Sequence, residues 1–168
     1  MKIAIISDSH DNIPNIDKML DFVKKEGIKN IIHCGDVCAP SVMKYLAENF
    51  DGEVHLVFGN VDGDHDMMNQ LAKEKLKNVK IYGKAGELTL NSKKIAFTHR
   101  PEKGKELAKS DKFDLVFYGH THTPWEETIG QTKLVNPGTL AGLFAKATFA
   151  LYDTKSDKLE LKILEKMF

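Results

Sequence analysis

The first half of the chain alternates short apolar runs with amphipathic segments. Three runs rich in β-branched residues predict strands that are buried on both faces, at 2–7, 29–34 and 53–58. Between them, apolar residues recur at helical spacing after Pro14 and after Pro40, and a third helix is predicted at 64–75. This repeated strand–helix–strand pattern indicates right-handed crossovers and a parallel sheet.

The second half changes to closely spaced short strands, predicted at 79–82, 86–91, 93–98, 114–118, 125–129, 133–135, 147–152 and 159–164. A tight turn near Asn91 joins two of them as a hairpin, and a short helix follows Pro101. From Trp125 onward the pattern of strands and turns predicts antiparallel pairing. Together the halves predict an α/β fold of two mixed sheets face to face, with helices outside.

The length and the net charge of the chain limit the classes of protein to which it can belong. A chain of 168 residues predicts a single domain over 1–168. Lys plus Arg and Asp plus Glu both number 24, so the net charge is zero. No overall positive field exists to attract nucleic acid or an anionic membrane, and we expect no stable complex with either.

Two features bear on the cellular compartment. The two cysteines, Cys34 and Cys38, are too few for a disulfide framework. The apolar start of the chain runs directly into Ser7 and Asp8, unlike a signal peptide, and no apolar stretch is long enough to span a bilayer. We therefore expect a cytoplasmic protein.

Polar side chains follow five of the predicted strands at the point where each strand ends. They are Asp8, His10, Asp36, Asn60, His99, His120 and His122. Ligands of open α/β sheets bind at the carboxyl ends of the strands, so we expect these side chains to converge. One aspartate or histidine in such a place is usually a cap or turn residue, but the ordered set indicates a metal cluster.

The residue types limit which metal ions the predicted cluster can bind. Imidazole nitrogen suits zinc, iron, manganese and cobalt, whereas carboxylate and amide oxygens suit harder ions. Seven candidates exceed the three or four protein ligands of one catalytic zinc site. They fit two ions that share a carboxylate, and two ions roughly 3.5–4 Å apart clamp a phosphate for displacement at phosphorus. We predict two divalent ions per chain, Mn²⁺ foremost, with Ni²⁺, Fe²⁺, Co²⁺ or Zn²⁺ as alternatives.

Glycines precede three of these ligands, at Gly35, Gly59 and Gly119. Turns at strand ends need sharp or left-handed backbone, which glycine adopts most easily. A bare backbone also lets a phosphate or a metal come close. The glycines are therefore part of the predicted site.

Five motifs spaced along the chain resemble those of the calcineurin-like metallophosphoesterases: Asp8-x-His10, Gly35-Asp36, Gly59-Asn60-x-Asp62, His99 and Gly119-His120-x-His122. The short length and the turn Asn136-Pro137-Gly138 resemble the small archaeal and bacterial phosphodiesterase branch, to which the retromer subunit Vps29 is related. The resemblance runs from Asp8 to about Gly138. It implies a four-layer αββα sandwich, a dinuclear metal centre and hydrolysis of a small phosphodiester.

The resemblance also implies how the ligands divide. The first metal would take Asp8, His10, Asp36 and His122. The second would take Asp36, Asn60, His99 and His120, so that Asp36 bridges the two ions.

Two positions depart from the family pattern. Many members have a histidine, assigned to protonation of the leaving group, where this chain has Val61. A general acid contributes about 10²–10⁴-fold, so its absence favours good leaving groups unless Asp62, His65 or a water replaces it. Arg100, the single arginine, stands where relatives often have glycine. It is a candidate for bidentate phosphate contact, with a structural or surface charge as the alternative.

Other functions stay open at this point. The same ions would serve a phosphomonoesterase, a cyclic-nucleotide hydrolase or a nuclease of short oligonucleotides. A metal-binding scaffold without catalysis, as in Vps29, is a further alternative. Late edge strands can pair with a second copy, so a homodimer is an additional expectation. His33 and His55 lie within predicted strands, and we expect both to be hydrogen-bonded core residues rather than ligands.

Overall fold

The computed structural model describes residues 1–167, and its elements follow the predicted order. The strands are β1 (Lys2–Ile6), β2 (Asn30–His33), β3 (Glu53–Leu56), β4 (Val79–Ile81), β5 (Ala85–Leu90), β6 (Lys93–Thr98), β7 (Leu115–Phe117), β8 (Trp125–Ile129), β9 (Thr132–Asn136), β10 (Thr148–Asp153) and β11 (Lys158–Ile163). The helices are α1 (Ile13–Lys25), α2 (Pro40–Glu48), α3 (His65–Glu74) and α4 (Pro101–Lys109). None of the helices in this part of the chain is long and apolar enough to cross a membrane.

The first sheet has six strands in the order β11-β10-β1-β2-β3-β4. Strands β1 to β4 are parallel, as the strand–helix alternation predicts. The hairpin of β10 and β11 returns from the end of the chain, and β10 pairs antiparallel with β1. The sheet is therefore mixed, with β1 as its junction.

The second sheet has five strands in the order β5-β6-β7-β9-β8. The β5–β6 and β8–β9 pairs are antiparallel, but β9 pairs in parallel with β7. The antiparallel pairing expected after Trp125 is confirmed for the β8–β9 and β10–β11 hairpins. Strand β9 also pairs in parallel with the earlier strand β7, which makes the second sheet mixed.

Three hydrophobic clusters separate four layers of structure. Strand β1 shows how one run serves two of them, since Ile3 and Ile5 pack between the sheets while Ala4 and Ile6 face the helices. The cluster on the helix side includes Met19 from α1. A third cluster packs α4 against the outer face of the second sheet. The four-layer αββα architecture is thereby confirmed.

Candidate metal centre

The loops after β1 and β2 lie side by side at the carboxyl end of the first sheet. The Asp8 N–H donates to the Gly35 carbonyl at 3.0 Å, and the His10 N–H donates to the Asp36 carbonyl at 3.1 Å. These backbone bonds hold the first two acidic candidate ligands on adjacent loops.

Five of the seven candidate ligands have left-handed backbone. Their φ values are +52° at Asp8, +40° at His10, +59° at Asp36, +72° at His120 and +58° at His122. This conformation is uncommon for residues other than glycine and costs of order 1–3 kcal/mol each. Such strain clusters at functional sites, so its concentration at these positions supports a site here.

The first group of converging donors consists of Asp8, His10 and His122, whose ligand atoms all lie within 4.8 Å of one another. His122 Nε2 is 3.2 Å from Asp8 Oδ1 and 3.2 Å from His10 Nε2. Residues from the loop after β1 and from the loop after β7 thus meet across the two sheets.

The second group consists of Asp8, Asp36 and His99, again with ligand atoms within 4.8 Å. His99 Nε2 lies 3.4 Å from Asp36 Oδ2 and 2.9 Å from Asn60 Oδ1. Asp8 is the residue common to both groups. Asp36 also faces a histidine of each, since its Oδ2 is 3.9 Å from His10 Nε2.

His120 lies beside these groups rather than within them. Its backbone N–H donates to Asp8 Oδ2 at 3.0 Å, and its ring packs edge-on against His99, with centroids 5.0 Å apart. The Arg100 guanidinium donates to His120 Nε2 at 2.9 Å. Arg100 therefore contacts a predicted ligand directly.

Three of the histidines present Nε2 to the same space because each Nδ1 faces a partner outside it. His99 Nδ1 lies 2.9 Å from the Cys34 carbonyl oxygen, and His122 Nδ1 lies 3.3 Å from that of Leu143. His10 Nδ1 is 3.5 Å from the Cys38 sulfur. A carbonyl only accepts, so it fixes the proton on Nδ1 and leaves the Nε2 lone pair for a metal.

The buried carboxyl groups fit a cation. Asp8 Oδ1 makes no hydrogen bond with any of residues 1–167, and burial raises the pKa of the Asp8 carboxyl. Burial also opposes ionisation of Asp36, yet the neighbouring His99 and the hydrogen bond from the Val61 N–H outweigh it and lower the pKa of Asp36 to about 2. Oxygen and imidazole donors of this kind suit manganese, iron, cobalt or zinc.

Asp62 ties two loops of the site together. Its carboxylate accepts the backbone N–H groups of Asp36 at 3.0 Å, Cys38 at 2.7 Å and Gly59 at 2.6 Å. The neighbouring Val61 N–H donates to Asp36 Oδ1 at 3.0 Å. The contacts of Asp62 position the loop that carries Asp36.

The predicted core histidines are hydrogen-bonded. His33 Nε2 is 2.9 Å from Ser9 Oγ, and its Nδ1 accepts the Gly35 N–H at 3.2 Å. His55 Nδ1 is 3.0 Å from the Tyr82 hydroxyl. Both side chains are buried and outside the two donor groups, which confirms the core interpretation.

Two residues contribute to the site without a role predicted from the sequence. Asn136 donates to the Gly119 carbonyl at 3.0 Å and so supports the loop of His120, whereas its Asn-Pro-Gly motif indicated only a turn and a resemblance to the phosphodiesterase branch. Phe144 is 99% exposed, has a φ of +62° and stacks near the His122 ring, with centroids 6.3 Å apart. No periodic signal marks Phe144, because it lies in an irregular loop between strands.

The sequence and the fold of this chain have counterparts among known proteins. A profile of the calcineurin-like phosphoesterase superfamily domain matches residues 1–157. A phosphodiesterase of Methanocaldococcus jannaschii is 32% identical over 168 residues, covering 98% of this chain and 100% of that protein. The solved structure of an archaeal phosphodiesterase has a TM-score of 0.89 at 28% identity, covering 97% and 99%. Vps29 of Cryptosporidium parvum shares the fold, with a TM-score of 0.68 at 18% identity, covering 96% and 95%.

Proposed function

The chain belongs to the calcineurin-like phosphoesterase superfamily, and from that premise we propose that it hydrolyses phosphodiesters with two divalent ions. The observation that carries the proposal is the pair of donor groups that share Asp8. The similarity to a protein named as a phosphodiesterase supports the diester as substrate.

The two donor groups are extended to the ligand sets that the family resemblance implies, in which Asp36 rather than Asp8 is shared. Asp8, His10, Asp36 and His122 would take one ion, and Asp36, Asn60, His99 and His120 would take the other. When bound, divalent ions stabilise charge on the phosphate oxygens and promote attack by water.

The chain's own residues position these ligands. The Asp62 carboxylate ties the backbone at Asp36 to that at Gly59, the residue before Asn60. The Cys34 carbonyl orients His99. Arg100 places a fixed positive charge beside His120, where it can attract an anionic substrate.

A diester is favoured over a monoester by Val61. This side chain is 47% exposed beside Asp36, in the place where a histidine would act as general acid. Valine cannot donate a proton, so the reaction should favour leaving groups that depart without one unless Asp62, His65 or a water supplies it. Mn²⁺ is the proposed ion, with Ni²⁺, Fe²⁺, Co²⁺ and Zn²⁺ as alternatives.

Hydrolysis of bis-p-nitrophenyl phosphate by metal-stripped protein, before and after addition of Mn²⁺, tests the proposal. We expect turnover only with metal, and a diester rate above that for p-nitrophenyl phosphate. Asp36→Asn should lose roughly 10²–10³-fold in kcat, the cost of removing one charge-stabilising group. Asp21→Asn, an exposed aspartate on α1, is the matched control and should keep the wild-type rate.

Two results would contradict the proposal. Full activity of Asp36→Asn would place the reaction elsewhere on the protein. Binding of two metal equivalents with no turnover on any phosphate ester, together with a tight protein partner, would favour the scaffold alternative.

A further inference from the structure

A pocket of 430 Å³ opens beside the candidate metal centre. Two of the proposed ligands, Asn60 and His99, form part of its wall. Phe58, which stacks on His65 with ring centroids 3.8 Å apart, forms another part. A group bound in this pocket would therefore lie next to two of the side chains that are proposed to hold a metal ion.

The pocket is strongly cationic although the whole chain has no net charge. Lys84, Arg100 and Lys103 line it, and none of its lining residues is acidic. Lys84 lies between β4 and β5, whereas Arg100 and Lys103 belong to the start of α4. Two separate segments thus bring three positive charges to one cavity.

These charges are largely unneutralised. Lys103 pairs with Glu106 at 2.6 Å on the exposed face of α4. Within residues 1–167, neither Lys84 nor Arg100 has a carboxylate within 4.0 Å. Arg100 uses one guanidinium nitrogen on His120, and a guanidinium has five N–H donors, so others stay free for an anion.

The start of α4 adds to the positive electrostatic potential of the pocket. Arg100 is the N-cap residue and makes no side-chain cap, so the first-turn N–H groups lack that partner. A helix N-terminus carries partial positive charge and favours anions. Glu102 is the acidic residue of this turn and does not line the pocket.

We propose that this cationic pocket binds a second phosphate group of the substrate, which is then a phosphodiester carrying an additional phosphate. This inference rests on the proposed phosphodiesterase function. A terminal phosphate carries nearly two negative charges at neutral pH, and a planar guanidinium with two ammonium groups matches both its charge and its oxygens. A diester with a single negative charge would neutralise only part of the positive charge of the pocket.

Two esters that differ by one phosphate test the inference. Thymidine 5′-(4-nitrophenyl phosphate) and its 3′-phosphorylated form undergo the same bond changes. The oxygen of water bonds to the 5′-phosphorus, the bond to 4-nitrophenolate breaks, and the proton of the water passes to the solvent. We expect the 3′-phosphate to lower KM about tenfold, the size expected for two or three partly exposed ion pairs. A 3′-succinyl ester, which carries a carboxylate instead, should gain less.

Substitutions locate the effect. Lys84→Gln combined with Lys103→Gln should bring the KM ratio of the two esters close to one. Lys109→Gln makes the same charge change in the last turn of α4 and should keep the tenfold ratio. The ratio should also shrink as the ionic strength rises from about 0.05 M to about 1 M, because salt screens exposed charges.

A binding measurement separates this inference from the proposed function. Calorimetric titration of metal-free protein should show thymidine 3′,5′-bisphosphate binding about tenfold more tightly than thymidine 5′-phosphate, with the difference lost in the double variant. Equal affinities and equal KM values would overturn the pocket even if both esters are hydrolysed. Absence of hydrolysis with a preserved affinity difference would instead overturn the phosphodiesterase function. An equal gain from the carboxylate would overturn the assignment to phosphate.

Discussion

At the scale of single residues, Asp62 shows how a metal site can depend on a side chain that is not itself a proposed ligand. The sequence places it two residues after Asn60, in a position suited to proton donation. In the structure its carboxylate accepts three backbone N–H groups from two loops. We therefore favour a positioning role for Asp62, while proton donation stays a prediction that kinetics can test.

Asp62→Asn should weaken these backbone contacts, because an amide offers one acceptor oxygen instead of two. We expect the free energy of unfolding to fall by about 1–3 kcal/mol, measured by urea denaturation. A positioning role predicts the same fractional loss of kcat for p-nitrophenyl and alkyl diesters.

Proton donation by Asp62 would give a different pattern. The alkyl diester, whose leaving group needs a proton, would then lose about 10²-fold more than the p-nitrophenyl ester. Asp51→Asn, an exposed loop substitution, controls for the change of charge.

At the scale of elements, the strand ends bring backbone segments closer together than most residues allow. A Cβ atom on Gly59 would lie 2.5 Å from the Asp36 backbone nitrogen, and one on Gly119 would lie 2.8 Å from Asp8 Oδ2. The sequence analysis attributed these glycines to close approach of phosphate or metal. The structure gives a more direct reason, since each glycine makes room for a candidate ligand from a neighbouring loop.

Gly59→Ala should displace the Asp36 loop, because the new Cβ would overlap the Asp36 carboxylate and backbone. A misplacement of about 1 Å can cost 10²-fold in rate, so we expect a loss of that size in metal-dependent hydrolysis. Gly63→Ala is the matched control, since the nearest atom to its added Cβ is the Cys38 carbonyl oxygen at 3.8 Å. Comparable losses in both variants would show that the effect is not local to Asp36.

A histidine buried between β3 and the segment after β4 should make the free energy of unfolding depend on pH. His55 is buried there, near the Tyr82 hydroxyl, the Glu53 carboxylate and Lys80. Burial lowers the pKa of His55 below its usual 6.5 despite the neighbouring Glu53. The unfolded chain therefore binds a proton more readily than the folded chain.

As the pH falls below 6.5 toward the lower folded pKa, protonation of His55 should favour unfolding. Urea denaturation at about pH 7.5 and about pH 5 should show a loss of stability at the lower pH. The loss should be smaller in His55→Gln, which cannot titrate. His33, whose pKa burial lowers to about 4, should account for the pH dependence of stability that remains in His55→Gln. An unchanged pH dependence in His55→Gln would show that His55 does not contribute.

At the scale of the whole molecule, the candidate site joins the two sheets. Asp8, Asp36 and Asn60 follow strands of the first sheet, whereas His99, His120 and His122 follow strands of the second. Candidate metal ligands drawn from both sheets connect layers that otherwise meet through an apolar cluster. Metal binding should therefore stabilise the fold as a unit.

Mn²⁺ at about 100 times its dissociation constant should stabilise the folded protein by about 2.7 kcal/mol. For a chain of this size that corresponds to a rise in Tm of about 5–10 °C, measured by calorimetry with and without chelator. Asp36→Asn should show little of this rise. An equal rise in the variant would indicate that the metal binds outside the proposed site.

The secondary-structure elements and the polar residues at the strand ends could be predicted from local sequence patterns alone. Apolar periodicity is a local property, and β1 shows it clearly, because its residues alternate between two buried faces, with Ile3 and Ile5 on one and Ala4 and Ile6 on the other. Polar residues after successive strands are likewise visible in the chain, so Asp8, Asp36 and His99 could be predicted to converge.

Which segments meet depends on the tertiary fold and could not be predicted from local patterns. The parallel pairing of β9 with β7, the place of Asp8 in both donor groups and the ties of Asp62 each join residues distant in sequence. Strand periodicity states which face of a segment is buried but not which neighbour buries it. The neighbour is chosen by hydrogen bonding and packing across the whole fold, and that choice also brings Lys84 to the start of α4.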